Sequence, residues 1–285
     1  MKLLRIGVRL PLLLASVLGV FLLWTICRPV GLVTPLGLRR IRRWLLQGWG
    51  WTCLRIVNAR VECSGAAPKP PFYLVANHLS YVDIFLLARY AGPVFVARSE
   101  MAEWPLFGFM LRQSQMLFIR RGQLRDAPRV LDLLQAQLDA GDGIVIFPEA
   151  RCTRGVTVQP FKPALLEAAA RRSFPVSYAT LSYATPEGEP AAGDSVVWWR
   201  WEGVHSHLFR LLALPGFTAR IDFGPVPVIS NDRKVLATTL HQVVLRNFVP
   251  IEQGVLEELP MPETAPAALF REDAQVLPAK AQSLE

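Results

Sequence analysis

The first 61 residues of this 285-residue chain contain no aspartate or glutamate, although they hold ten lysines and arginines. The other 224 residues carry 21 basic and 23 acidic groups, so the excess of positive charge belongs to the N-terminal segment alone. A body with balanced charge offers nucleic acid no electrostatic footprint, and no nucleic-acid partner is expected. Cysteine is scarce. Cys27, Cys53, Cys63 and Cys152 show no C-x-x-C spacing and no density of an oxidised scaffold, which points to free thiols in a reducing compartment. The chain also lacks G-x-S-x-G, H-E-x-x-H, a P-loop and G-x-G-x-x-G, removing the usual support for a serine hydrolase, a zincin, a P-loop NTPase and a dinucleotide enzyme. Of its four histidines, His205 and His207 stand two apart, on different faces of a helix, so no metal pair is expected there. No metal or cofactor is expected elsewhere either.

What is abundant is apolar surface, 52% of residues, which excludes a disordered chain. Leu10 to Cys27 run 18 residues without a charge, flanked by Lys2, Arg5 and Arg9 before and by Arg28, Arg39, Arg40, Arg42 and Arg43 after. That length suits a bilayer-crossing helix, and no clear cleavage site follows it, so a retained anchor is expected rather than a signal peptide. Positive charge on both sides sets no orientation, and a helix dipping into one leaflet fits as well as one that spans. Leu38 to Val57 begins as a helix with Leu38, Ile41, Trp44, Leu45 and Trp49 on one side and the four arginines pointing away. Arginines beside tryptophans suit an interfacial helix on anionic lipid; a soluble core helix with a solvated basic face is the plainer alternative. The expected division is an anchor and interfacial helix over 1–61, a folded domain over 62–258, and a Pro-, Ala- and Glu-rich disordered tail over 259–285. A bacterial inner-membrane protein with a cytoplasmic body fits this pattern.

Beyond Pro71, β-branched and aromatic runs alternate with helical patterns, the signature of an α/β domain. Strands are expected at Phe72–Ala76, Pro93–Ala97, Met116–Ile119, Gly143–Phe147, Pro175–Leu181 and Thr218–Phe223. Helices are expected at Tyr81–Tyr90, Ala164–Arg172, His205–Leu212 and Asp232–Phe248. The apolar spacing from Leu124 to Leu138 adds another, stopped by Gly141.

His78 leaves the first of these strands through Asn77, and Asp83 follows five positions later. Inside a regular helix these side chains would stand some 140° apart and could not meet. With His78 in the strand-to-helix loop, Ser80 as N-cap and Asp83 in the first turn, the carboxylate can fold back to one imidazole nitrogen. It then fixes the tautomer and leaves the other nitrogen to take a proton from a hydroxyl. The plain alternative is a capping box, Ser80-x-x-Asp83, beside an ordinary loop histidine. Arg121 follows an apolar strand and could clamp a phosphate, or be a solvated strand end. Glu149 ends another strand ahead of Arg151 and Arg154, and could orient a hydroxyl or form only a surface ion pair. The indoles of Trp198, Trp199 and Trp201 are as compatible with core packing as with a groove, and are not placed in the site.

Asn77, His78 and Asp83 match N-H-x-x-x-x-D, and here the chain resembles the glycerolipid acyltransferases typified by 1-acyl-glycerol-3-phosphate acyltransferase. Three later motifs follow in the family's order. Phe118, Ile119 and Arg121 match the second, with Gln115 where glycine is usual. Phe147, Pro148, Glu149, Ala150, Arg151, Cys152 and Thr153 stand for F-P-E-G-T-R-S, with alanine for glycine and Cys152 for arginine. Phe174, Pro175 and Val176 stand for the fourth. The resemblance implies a central mixed sheet flanked by helices and an O-acyltransferase. Its donor would be acyl-CoA or acyl carrier protein, and its acceptor a membrane-embedded lysolipid, most simply 1-acyl-glycerol-3-phosphate giving phosphatidic acid. His78 would be the general base and Asp83 its orienting partner, with Arg121, Glu149, Ala150, Arg151 and Lys162 on the substrate. The departures at Ala150 and Cys152 leave open another acceptor, such as a lyso-aminolipid like lyso-ornithine lipid or another lysophospholipid, and beyond these a non-catalytic lipid-binding protein.

Overall fold

The computed structural model describes residues 1–98, 116–119, 127–200 and 202–251. The chain begins with helix α1 (Lys2–Cys27), a short turn of helix α2 (Val30–Val33) and helix α3 (Pro35–Ile56). Thr34 caps α3 by accepting from the Gly37 N–H at 3.1 Å, and Pro35, which has no N–H to lose, occupies the first helical position. Seven strands follow: β1 (Ala59–Ser64), β2 (Phe72–Ala76), β3 (Val94–Arg98), β4 (Leu117–Ile119), β5 (Gly143–Ile146), β6 (Val176–Ala184) and β7 (Phe217–Phe223). Interleaved with them are α4 (Val82–Ala91), α5 (Ala127–Asp139), α6 (Glu167–Ala170), α7 (Ala192–Ser195), α8 (Val204–Ala213) and α9 (Arg233–Asn247).

These strands form one sheet in the order β1-β7-β6-β2-β5-β3-β4, in which β6 and β7 pair antiparallel and the other neighbours pair parallel. The expected mixed sheet is therefore observed. Strand β2, read from the sequence to the residue, is buried along its whole length, as a continuous apolar run covered on both faces should be. Each such Val or Leu contributes about 1.5–3 kcal/mol on leaving water. Strand β1 was missed by the sequence reading; its charges at Arg60 and Glu62 suit an edge strand with exposed side chains. It spans the expected division at residue 61, and its partner is β7. The tail over 259–285 lies outside the described residues.

Strands β5, β2 and β6 run parallel side by side, so their C-terminal ends open on one edge of the sheet. In open α/β sheets that edge is where ligands bind.

The N-terminal helices corrected one expectation. Two of the four arginines, Arg39 and Arg42, turn toward the body, and Arg42 is the more deeply buried. It is 4% exposed and donates to Asp142 Oδ1 at 2.6 Å, while Arg39 Nε lies 3.5 Å from Asp142 Oδ2. Arg42 falls three residues before Leu45 and seven before Trp49, so it shares their ridge, and its long stem can be buried once Asp142 meets its charge. Trp44, expected on the same side as Leu45 and Trp49, is 71% exposed. Helix α3 packs tightly on α4 at Gly50, where a β-carbon would come within 2.6 Å of the Phe85 carbonyl and the Arg89 amide. Helix α1 is tied to the body near its start: Arg5 donates to the Ala213 carbonyl at 2.9 Å and Arg9 to the Leu212 carbonyl at 3.0 Å. These are the last carbonyls of α8, which lack partners within their own helix.

Candidate active site

Asn77 shows how the sheet builds the loop. The β2–β6 ladder ends at Ala76 opposite Ala179. Beyond it the Asn77 side chain takes over, donating to the Leu181 carbonyl at 3.0 Å and accepting from the Leu181 N–H at 2.7 Å. An amide side chain thus continues the sheet's hydrogen bonding while the backbone turns away.

His78 and Asp83 meet as the loop geometry allows. His78 Nδ1 lies 2.8 Å from Asp83 Oδ2, and Asp83 is fully buried. The same Oδ2 accepts from the Leu79 N–H at 2.8 Å and the Ser80 N–H at 3.0 Å. Capping and imidazole support were alternatives in the sequence, and one carboxylate performs both. Helix α4 starts one residue later than expected, and its first turn is closed by Asp83 more than by Ser80, whose hydroxyl is 3.4 Å from the Val82 N–H. The other oxygen, Asp83 Oδ1, accepts from the Tyr183 hydroxyl at 2.5 Å. A carboxylate engaged on both oxygens by four donors is fixed in its orientation.

Three further neighbours shape the imidazole. The Phe147 ring stacks on it, 4.0 Å between centroids and 16° between planes. Glu149 accepts from the His78 N–H at 2.6 Å and, through its other oxygen, from the Gln159 N–H at 2.8 Å. The Thr153 N–H donates to the His78 carbonyl at 3.0 Å. The loop after β5 therefore holds both backbone groups of His78. Burial disfavours the charged ring, but neighbouring Cys152 and Asp83 outweigh it and the imidazole is pushed up to about 10. Burial pushes the Glu149 carboxyl up to about 7, against its two backbone donors and His78, which favour the carboxylate.

Of the remaining expected residues, Ala150 sits in the same loop with φ +64°, a left-handed conformation that glycine adopts without strain. Arg151 is exposed at the loop's rim. Lys162 is also exposed, and its N–H donates to the Pro148 carbonyl at 2.8 Å, which sets it beside this loop. Arg121 lies outside the described residues. Sequence reasoning missed Tyr183 because the strand was ended at Leu181. Continuing the period-two pattern through Ser182 and Tyr183 would have brought that hydroxyl to the β6 exit. It also left the tryptophans out, yet the Trp198 N–H donates to the Leu79 carbonyl at 2.9 Å. The guanidiniums of Arg154, at 5.2 Å, and Arg200, at 5.3 Å, both lie over the Trp199 ring. Trp201 is outside the described residues. His207 is unrelated to metal chemistry: it is buried between the Tyr81 hydroxyl and the Val197 carbonyl, each 3.0 Å away. Among the described residues no group of three or more His, Cys, Asp or Glu is placed to hold a metal ion.

Comparison with known proteins places this geometry. The family described as Acyltransferase matches residues 59–181, which hold every motif above. A lyso-ornithine lipid O-acyltransferase of Pseudomonas aeruginosa is 34% identical over 217 residues, covering 74% of this chain and 79% of that protein. A 1-acyl-sn-glycerol-3-phosphate acyltransferase of Neisseria meningitidis is 30% identical over 195 residues, covering 67% and 75%. Among solved structures, the acyltransferase PlsC of Thermotoga maritima shares the fold, with a TM-score of 0.54 at 21% identity over 80% of this chain and 93% of that one. With its motifs gathered on one sheet edge and relatives of this similarity, the chain belongs to the 1-acyl-glycerol-3-phosphate acyltransferase family and is an O-acyltransferase of the lysolipid type.

Proposed function

We propose that the protein transfers a fatty acyl group from an acyl thioester, acyl-CoA or acyl carrier protein, to the free hydroxyl of a membrane lysolipid, with His78 as general base. The observation that carries this reading is the 2.8 Å contact between His78 Nδ1 and the immobilised Asp83 carboxylate at the exit of β2. That contact fixes the ring and leaves Nε2 to accept the hydroxyl proton as the oxygen attacks the acyl carbonyl. The carrier thiolate is a competent leaving group, so the missing serine elbow is no obstacle. Asp83 and Tyr183 are positioning residues. Glu149 has both oxygens on backbone amides, and its role in substrate binding is to set the loop that carries Ala150 and Arg151. Arg121, Arg151 and Lys162 are the cations assigned to the acceptor head group.

The acceptor read from the motifs is 1-acyl-glycerol-3-phosphate, giving phosphatidic acid. A lyso-ornithine lipid is the second reading, favoured by the printed name of the Pseudomonas relative. One labelled acyl donor offered with a panel of lysolipids decides between them by mass spectrometry of the products. A phosphatidic acid product supports the first reading, and an acylated aminolipid without phosphatidic acid replaces it with the second.

The N-terminal segment is assigned to the membrane, with the catalytic body on the cytoplasmic side of a bacterial inner membrane. Lys2–Val33 is long and apolar enough to cross a bilayer. Its outer side chains, including Leu4, Leu12, Leu18 and Leu22, are about half or more exposed, as are Trp44 and Trp51 on α3. A soluble monomer rarely shows so much apolar surface. Arg5, Arg9 and the buried Leu13 hold one stripe of α1 against the body, which suits a helix lying in the interface better than one projecting across it. A lysolipid then reaches His78 without its tail leaving the bilayer, a saving of about 0.8 kcal/mol per CH₂.

A further inference from the structure

The segment Val196–Arg200 lies beyond residues 59–181, which the family shares, yet it closes on the catalytic loop. The Trp198 N–H donates to the Leu79 carbonyl at 2.9 Å, and the Thr153 N–H donates to the His78 carbonyl at 3.0 Å. Two segments far apart in sequence thus hold consecutive carbonyls at the base. The residues that follow each of these hydrogen bonds meet in one cluster: Arg154 after Thr153, and Trp199 and Arg200 after Trp198. The cluster is built rather than casual. The Trp199 Nε1–H donates to the Gly193 carbonyl at 2.8 Å, which fixes the ring, and Asp194 holds Arg200 through one nitrogen, Nη2. Gly193 and Asp194 both belong to α7. A guanidinium carries five N–H donors, so that single contact leaves Arg200 able to bind a second anion. Trp199 is half-buried while both guanidiniums are exposed. Two like charges on one ring repel each other, and an anion placed against both relieves that repulsion.

The position favours the acceptor over the acyl carrier. The segment runs on into α8, which packs along α1, and Arg5 and Arg9 of α1 reach the last carbonyls of α8. It therefore links the catalytic loop to the helix assigned to the membrane. A lysolipid whose tail stays in the bilayer presents its head group at that level, where tryptophan and arginine are the side chains that settle.

We propose that Arg154, Trp199 and Arg200 seat the anion of the acceptor's head group, the phosphate of 1-acyl-glycerol-3-phosphate or the carboxylate of lyso-ornithine lipid. The proposal rests on the reading of the acceptor as a lysolipid. In both molecules the anion stands a few bonds from the reacting hydroxyl, so an anion clamped beside the catalytic loop brings that hydroxyl toward His78. The guanidiniums grip it through charge-assisted hydrogen bonds, and the indole holds the two forks in place. The acyl donor makes no use of the three residues.

The test uses the full-length protein in detergent, with labelled palmitoyl-CoA as donor and 1-palmitoyl-glycerol-3-phosphate and lyso-ornithine lipid offered separately. Arg154→Gln, Arg200→Gln and Arg200→Lys are compared with wild type after a thermal melt shows each to be folded. The expected result is a rise of about 10-fold or more in the acceptor KM for both glutamine variants. The palmitoyl-CoA KM and the kcat at saturating acceptor should stay within a few-fold. Arg200→Lys, which keeps the charge without the planar fork, should fall between wild type and Arg200→Gln. A rise seen with 1-palmitoyl-glycerol-3-phosphate puts a phosphate on the pair, and one seen with lyso-ornithine lipid puts a carboxylate there. An unchanged acceptor KM in both glutamine variants would overturn the site. A rise confined to the palmitoyl-CoA KM would also overturn it, by placing the carrier's phosphates there instead. If wild type acylates a lysolipid and the arginine variants match its KM, the head-group site alone falls. If wild type acylates neither lysolipid, the reading of the acceptor falls with it.

Discussion

His78 and His207 are both imidazoles largely removed from water, and their surroundings drive them in opposite directions. At the strand exit, Cys152 in the neighbouring loop and an Asp83 carboxylate with four donors outweigh burial, and the His78 ring is pushed up to about 10. Under α8, His207 meets a tyrosine hydroxyl and a backbone carbonyl, and burial, with Arg210 adding to it, pushes the ring down to about 4. Both groups that His207 meets are neutral. It is a satisfied core residue that ties α8 to Tyr81 and to the loop before it. His78 has been given charged neighbours at the edge where ligands bind. Burial alone marks neither as catalytic; the sign of the neighbouring charge and the place on the sheet do.

Asp83→Asn removes the charge that orients His78 while keeping the shape, and is expected to reduce acyl transfer on the order of 10²-fold or more. His207→Ala should leave acyl transfer within a few-fold of wild type and cost about 1–3 kcal/mol, because the Tyr81 hydroxyl and Val197 carbonyl lose a partner. Chemical denaturation and a labelled-donor assay on both variants check the pair, and the contrast breaks if the effects are exchanged.

The two rings also predict opposite limbs in stability against pH. Between pH 4 and 6.5 an unfolded chain protonates His207 while the folded one does not, so its contribution is whole above 6.5 and is lost as pH falls toward 4. Between 6.5 and 10 the folded state alone protonates His78, so that contribution is whole below 6.5 and is lost as pH rises toward 10. Each limb has a limiting slope of about 1.4 kcal/mol per pH unit. His207→Gln should flatten the acid limb only, and His78→Gln the alkaline limb only, in denaturant titrations across pH.

Tyr183→Phe leaves Asp83 Oδ1 without its donor and should cost about 1–3 kcal/mol of stability. It should lower kcat more than it raises KM, since a positioning residue does not touch the acceptor. The smallest effect is expected from Ala150→Gly. Relief of the left-handed strain, about 1–2 kcal/mol, is partly offset by glycine's greater freedom when unfolded, leaving a gain of up to about 1 kcal/mol in denaturation.

The strand-and-helix alternation was readable because β2 and β5 are buried along their whole length and appear as unbroken apolar runs. Strand β1 was hidden because an edge strand can carry Arg60 and Glu62 facing water. The pairing of His78 with Asp83 followed from a spacing that only a loop could satisfy. Tyr183 was hidden for a different reason: it is 100 positions from Asp83, and only the parallel pairing of β2 and β6 brings their strand ends together. Arg42 misled because periodicity places its backbone on the buried ridge while its charge suggests water. The partner that resolves this, Asp142, is 100 residues away.

The most direct test of His78 as the base is transfer of labelled palmitate from palmitoyl-CoA to 1-palmitoyl-glycerol-3-phosphate and to lyso-ornithine lipid by His78→Ala protein that melts with wild type. The expected result is a loss of about 10²–10⁴-fold or more on whichever acceptor wild type uses. Turnover within a few-fold of wild type by that folded variant would contradict it.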